Sequence, residues 1–409
     1  MEKNQIIKQF IYSLTIILLS VANVYAQKNN DNKKQNYLKY YSNSYDSARI
    51  KFIETSQILK KKYPASKMFQ IKVPSKTDNN LFVDILYLPS LKEKNKLFIL
   101  SSGVHGIEGH VGSAIQQMFI DRFICDSLLE ETGVLLIHSV NPYGYKYDRR
   151  FSENNVDINR NSSIVDTLYN IVNEGYPKVN DFINPTKKVN TRSLGNIFFA
   201  PKAIMKILKA SMPVLRQAIL QGQYQYPDGL YYGGNKLEPQ TASLIPILTS
   251  VCEPYKTVFE IDLHTGYGER GKLHFFPNPV DSVTQKKIET IFKEERIDWG
   301  DSDGFYTVTG DFVGFIWQIN KNKTFIPMAF EYGTLNTQKT SGSLKSIHIM
   351  ILENEGYHYG YKKERDRIKV KNDILEMYYP SSEEWRIKIM KKTEDVYKKI
   401  LPIYFNNDF

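Results

Sequence analysis

The sequence predicts a single α/β domain with a mixed, largely parallel central sheet flanked by helices. Three observations lead there. Apolar runs of strand length alternate with helical patterns. Several of those runs end in polar residues and a glycine-containing loop. No Pro-, Gly- or Ser-rich linker and no internal repeat divides the chain after its first 45 residues.

The elements follow in order. "MEKNQIIKQF" is basic, "FIYSLTIILLSVANV" is apolar and "VYA" precedes Gln27. That order predicts a secretory signal over residues 1–26, cleaved after Ala26. No cysteine lies near Ala26 to make a lipoprotein. The mature protein is therefore expected to be periplasmic or secreted, with no stable membrane insertion after cleavage. Residues 27–45 are polar and Asn-rich and predict a flexible leader, leaving 46–409 as the folded domain. "YDSARIKFIETSQILKKKY" has helical spacing; "MFQIKV", "LFVDILYL" and "KLFILSSG" read as strands; "EGHVGSAIQQMFIDRFI" reads as a helix. "GVLLIHSVNPYG" is a buried strand into a turn, and two helical stretches follow, "PKAIMKILKASMPVLRQAILQG" and "PQTASLIPILTSVC". "KTVFEIDLHTGYG" and "FIPMAFEYGT" are strands with polar ends, and "EEWRIKIMKKTEDVYKKILPIY" is a closing helix.

Composition narrows the classes. A chain of 409 residues with 28 Tyr and 22 Phe is too aromatic to be disordered. The net charge of +10 comes with no compact basic motif, so it reads as solvated surface and not as a nucleic-acid site. Cys125 and Cys252 are the only cysteines, too few for a disulfide framework; whether they pair is open.

In open α/β sheets, chemistry gathers beyond the carboxyl ends of the strands. His105 ends one strand run and Glu108 opens a helix, a spacing that lets both face one side. Zinc takes imidazole nitrogen and carboxylate oxygen, but H-x-x-E alone is a common chance pattern. His264, where "EIDLHTGYG" passes from strand to loop, offers a third ligand. His110 lies on the helix at a spacing facing away from His105, and His138 inside "LLIHSV" reads as a core histidine. A hydrolytic zinc site also needs a base. Glu331 in "MAFEYGT" and Glu260, on the strand and face of His264, both qualify on residue grounds. "NPYGYKYDRRFSENNVDINRN" holds Arg149, Arg150, Asp157, Asn159, Arg160 and Asn161, and its Arg and Asn side chains are donor types suited to an anion and an oxyanion.

Taken in order, "HGIE", "NPYG", "VDINRN", "DLHTG" and "FEYGT" resemble the zinc carboxypeptidase superfamily, the M14-type metallopeptidases, and most closely its bacterial DUF2817 branch. "GQYQYPDGLYYGG" looks like that branch too; the resemblance spans roughly residues 80–340. It implies one zinc ion held by His105, Glu108 and His264, with Glu331 as general base. It implies Arg150, in preference to Arg149, as the group that polarises the scissile carbonyl and stabilises the oxyanion. Asn159 and Arg160 would grip a substrate carboxylate, and Asp157 would accept a hydrogen bond from His105. The family expects a tyrosine on a loop before the base, for which Tyr306 in "GFYTVTGDF" is the candidate. The stretch between "NPYG" and "VDINRN" is short, as in deacylase relatives.

The implied function is metal-assisted hydrolysis of an amide next to a free carboxylate, in a peptide or an N-acyl amino acid. An aspartoacylase-like deacylase is the alternative enzyme, and a catalytically inactive binding protein of the same fold is the alternative outside enzymology.

Overall fold

The structure, a computed structural model, describes residues 36–210, 212–299, 309–407 and 409. The expected export signal at 1–26 and Tyr306 lie outside the described residues.

Seven strands form one mixed sheet among the described residues: β1 (Lys67–Lys72), β2 (Phe82–Leu88), β3 (Lys96–Ser102), β4 (Thr132–His138), β5 (Thr257–Gly266), β6 (Leu273–Phe276) and β7 (Thr324–Gly333). Their spatial order is β1-β2-β4-β3-β5-β7-β6. The inner four, β4, β3, β5 and β7, run parallel, while β1, β2 and β6 add antiparallel edges. Strands buried on both faces need apolar residues at every position, hence the near-continuous runs "KLFILSS" and "GVLLIH". The four-residue β6 was not anticipated; "LHFF" is too short to show a period.

Ten helices enter the description: α1 (Tyr45–Lys62), α2 (Gly109–Phe123), α3 (Phe199–Ala210), α4 (Met212–Leu220), α5 (Pro239–Cys252), α6 (Ser282–Ile291), α7 (Phe312–Ile319), α8 (Thr340–Tyr359), α9 (Glu364–Tyr378) and α10 (Glu383–Asn406). On one face, Phe98, Leu100, Phe259, Ile261 and Phe330 pack with residues of α2, α6 and α10. On the other, Leu97, Ile99, Leu135 and Val258 pack with α5 and α7. A third apolar cluster joins α3, α8 and α9 with the short helix Pro177–Ile183.

The flexible leader needs correction at its C-terminal end. Tyr40 is buried in the core, and Tyr37 and Tyr41 pack against it. Arg122 of α2 stacks its guanidinium 4.7 Å from the Tyr37 ring centroid, and the Tyr40 hydroxyl donates to Asp121. Three tyrosines within five residues supply enough apolar surface to hold residues 36–44 on the body despite their polar neighbours. Cys125 is exposed, Cys252 is buried, and they are not bonded to each other.

Candidate active site

The loop after β3 is held by close backbone approach. Gly103 has φ +65°, and a side chain on Gly106 would sit 2.3 Å from the Gly144 backbone. The Gly106 and Ile107 amides donate to the carbonyls of Arg150 (3.2 Å) and Arg149 (2.8 Å). Asn141 accepts from the Gly144 amide at 3.0 Å and donates to the Arg150 carbonyl at 3.1 Å. "NPYG" is thus the scaffold against which "HGIE" and the 149–150 backbone are set.

That scaffold brings His105, Glu108 and His264 together, all buried. His105 Nδ1 lies 3.0 Å from Glu108 Oε1, and His264 Nδ1 lies 3.0 Å from Glu108 Oε2. The two Nδ1 atoms are 3.2 Å apart. Two imidazole nitrogens and two carboxylate oxygens, all bearing lone pairs, repel at such separations unless a proton or a cation sits among them. The Thr265 amide donates to Glu108 Oε2 at 3.0 Å and fixes the carboxylate. Burial works to raise the Glu108 pKa, but His105 and His264 outweigh it and hold it at about 2.

Each imidazole is gripped from behind. Asp157 Oδ1 stands 3.3 Å from His105 Nε2, and Asp262 Oδ2 stands 2.6 Å from His264 Nε2. A hydrogen on each Nε2 leaves each Nδ1 lone pair facing the cluster. Arg150 complicates the first case: one of its terminal nitrogens is 2.6 Å from the same His105 Nε2, a contact that requires the opposite tautomer. Asp262 was not singled out in the sequence. Its signal was there, two residues before His264 and so on the same face of the strand.

Glu331 lies beside His264, because the two are direct partners in the β5–β7 pairing. Its Oε1 accepts from the Tyr267 amide at 2.8 Å. Burial, with ionised Glu108 beside it, pushes its pKa up to about 8. Glu260 shares the face but sits four residues, about 13 Å, back along the strand. It is fully buried, and neither carboxylate oxygen has a hydrogen-bond partner among the described residues. Burial and the nearby Asp262 push its pKa well above the ordinary range.

The two arginines part company. Arg149 points inward, with Nε 2.8 Å from Glu353 Oε1 and its guanidinium 3.3 Å from the Tyr357 ring centroid. Arg150 points toward the cluster, with Nε donating to Asp157 Oδ2 at 3.0 Å and one terminal nitrogen 3.9 Å from Glu108. Burial works to raise the Asp157 pKa, but Arg150 and His105 hold it far below the usual range. Asn159 accepts from the Phe312 amide at 2.8 Å, which anchors its side chain at the start of α7. Arg160 donates to the carbonyls of Leu220 (2.9 and 2.6 Å) and Asn159 (2.7 Å). No carboxylate of a described residue forms an ion pair with it.

His105, Glu108, Arg150, Asn159, Arg160, His264 and Glu331 all line one cavity of about 570 Å³. Tyr231 and Tyr378 line it too, and the Tyr231 ring lies 5.3 Å from the Arg150 guanidinium carbon. Neither tyrosine was marked as a site residue, since only the fold brings them there. His138 and His110 lie apart from the cluster. His138 stacks on Phe52 and meets Ser113 Oγ at 3.2 Å; burial lowers its pKa to about 3. His110 stacks on Tyr379 and meets Asp148 at 3.0 Å.

Comparison with known proteins adds context. The family described as "Protein of unknown function (DUF2817)" matches residues 41–392. No curated protein matches the chain. Among solved structures, bovine thrombin-activatable fibrinolysis inhibitor in complex with tick carboxypeptidase inhibitor shares 13% identity at a TM-score of 0.43, covering 82% of this chain and 99% of that one. A metallo-carboxypeptidase from Pseudomonas aeruginosa shares 11% identity at a TM-score of 0.38, covering 80% and 66%. An aspartoacylase family protein from Mesorhizobium loti shares 14% identity at a TM-score of 0.34, covering 73% and 68%.

Proposed function

The chain belongs to the DUF2817 family, and from that premise and its buried His–Glu–His cluster we propose that it is a zinc-dependent hydrolase cleaving an amide next to a free carboxylate. One observation carries the reading: two imidazole Nδ1 atoms and a carboxylate converge beside a second buried carboxylate, that of Glu331.

The donor set fits zinc. Bonds of about 2.0–2.1 Å at a tetrahedral angle put neighbouring ligand atoms roughly 3.3 Å apart; here the two imidazole Nδ1 atoms are 3.2 Å apart, and each has one of the two Glu108 oxygens 3.0 Å away. His105, Glu108 and His264 would be the three protein ligands. Zinc held there supplies a Lewis acid and a water of lowered pKa.

The chain's own groups supply the rest. Glu331 takes a proton from the attacking water and returns it to the departing amine. A dication nearby favours its ionised form, bringing it down from the raised value into the range of a working base. Arg150 donates to the oxyanion as negative charge develops on the carbonyl oxygen. Arg160, a buried cation that forms no ion pair with a described residue, and Asn159 beside it favour a carboxylate on the substrate. The substrate is then a peptide with a free C-terminus or an N-acyl amino acid. The first 26 residues are read as an export signal, which puts the activity in the periplasm or outside the cell.

The test is zinc analysis of the purified protein, with a hydrolysis screen over N-acyl amino acids and short peptides. Zinc near one per chain with turnover supports the reading. Ligand binding without turnover would make the protein a binding module of this fold, and absence of zinc would overturn the metal assignment.

A further inference from the structure

From residue 182 to residue 227 the chain has no aspartate or glutamate, but it carries Lys187, Lys188, Arg192, Lys202, Lys206, Lys209 and Arg216. Seven positive charges, against a net charge of +10 for the whole protein, therefore fall in one stretch. Lys187, Lys188, Arg192 and Lys202 are exposed, and none of the four is ion-paired with a described residue.

The same stretch exposes large apolar side chains. Leu194, Ile197, Phe198, Ile204 and Met205 are each between 45% and 73% exposed. Single exposed apolar residues are ordinary, but five within twelve positions, bracketed by cations, form a patch. The buried face of α3 is as informative. Phe199 and Ala203 line the catalytic cavity with Phe182, Ile219, Leu344 and Ile347. α3 thus turns Phe199 and Ala203 to the cavity and Ile204 and Met205 to the outside, with Leu194, Ile197 and Phe198 exposed just before it.

A basic stretch with apolar residues on its outer face is the signature of an element lying in a membrane interface. No described helix is long and apolar enough to cross a membrane, so the attachment is to a surface. We propose that residues 182–227 seat this protein on an anionic lipid bilayer, with Leu194, Ile197, Phe198, Ile204 and Met205 entering the boundary between headgroups and acyl chains. Lys187, Lys188, Lys202 and Arg192 meet lipid phosphates; within the stretch no carboxylate opposes that attraction, and the carboxylates that meet it from other elements are Asp366, which accepts from Thr191, and Glu355, near Lys187. Attachment through α3 holds the cavity next to the lipid surface.

The experiment is co-sedimentation of the full chain with vesicles of equimolar phosphatidylglycerol and phosphatidylcholine, or of phosphatidylcholine alone. Binding to the anionic vesicles, weaker at high salt, is expected. Phe198→Ser with Ile204→Ser should lower partitioning at least ~10-fold, the order of effect for withdrawing a large apolar side chain. Lys187→Gln with Lys188→Gln and Lys202→Gln should lower it by about 10²-fold, at roughly fivefold per cation. Parent and variants share residues 1–26, so any contribution from that segment cancels. The altered side chains are exposed, and circular dichroism melts verify folding; Leu194→Ser with Met205→Ser replaces any variant that fails. Equal binding to both vesicle types, no binding, or parent-like binding by both sets of variants would overturn the proposal. So would a concentration-dependent dimer without vesicles that Ile204→Ser abolishes, since the patch would then face a second copy.

Discussion

His264 and Glu331 are direct partners in the parallel pairing of β5 and β7, and their side chains leave the sheet on the same face. A candidate metal ligand and a candidate base are thus set side by side by the sheet register itself. A one-residue slip would turn Glu331 to the opposite face, among Phe330 and Tyr332 in the core.

Glu331→Gln should separate chemistry from metal binding. Zinc content should stay near one per chain, while turnover should fall at least ~10²-fold. Glu108→Gln should lose zinc and activity together, and Glu260→Gln should keep both. Zinc analysis beside steady-state kinetics reads all three, and full activity in Glu331→Gln would reassign the base.

Asp262→Asn should weaken zinc by about 10- to 100-fold, the usual effect of removing a partner behind a metal histidine. Ser101 donates to the other Asp262 oxygen at 2.7 Å, so the side chain is held in place and the change is local. Competition with a chelator of known affinity measures it. Unchanged affinity would mean that His264 is oriented by its strand alone.

The metal-free protein should show a pH signature from Glu331. Its folded pKa, about 8, lies above the ordinary 4.5. Between those values the folded state keeps a proton that the unfolded chain releases, so this group's contribution to stability falls as pH rises from about 4.5 to 8. Glu331→Gln lacks the titration, and its advantage in melting temperature over the parent should grow across that window. Added zinc should shrink the advantage by favouring the carboxylate. Parallel melting curves for the two metal-free proteins would refute the assignment.

The adjacent arginines should fail in different ways. Arg149→Gln leaves Glu353 buried without its guanidinium and should cost roughly 3–5 kcal/mol of stability. Arg150→Gln leaves the buried Asp157 without its guanidinium and should also lose stability, but it should in addition reduce the kcat of the folded enzyme. Denaturation midpoints with kcat for both variants check this; an equal fall in kcat would remove the distinction.

Arg160→Gln should lower kcat/KM by about 10²-fold for substrates with a free carboxylate. Substrates whose carboxylate is amidated should be poor for the parent and no poorer for the variant. An equal loss on both would mean that Arg160 supports the fold through the Leu220 carbonyl and not through the substrate.

The sequence alone determined what depends on near neighbours: the alternating strands and helices, the His105–Glu108 spacing, and the types of group at strand ends. Those features are periodic or lie within one turn, so they are legible without a fold. The tertiary structure decided everything that depends on which distant surfaces meet. It turned Arg149 into the interior and Arg150 toward the cluster, although they are neighbours in the chain. It set Glu331, and not Glu260, beside His264, because register and strand rise choose one position along a shared face. It drew residues 36–44 onto the core through their tyrosines, where polar composition alone suggested a loose leader. It also made Asp262 the partner of His264 and brought Tyr231 and Tyr378 to the cavity. Each outcome rests on burial and contact between segments far apart in sequence, for which one chain carries no local period.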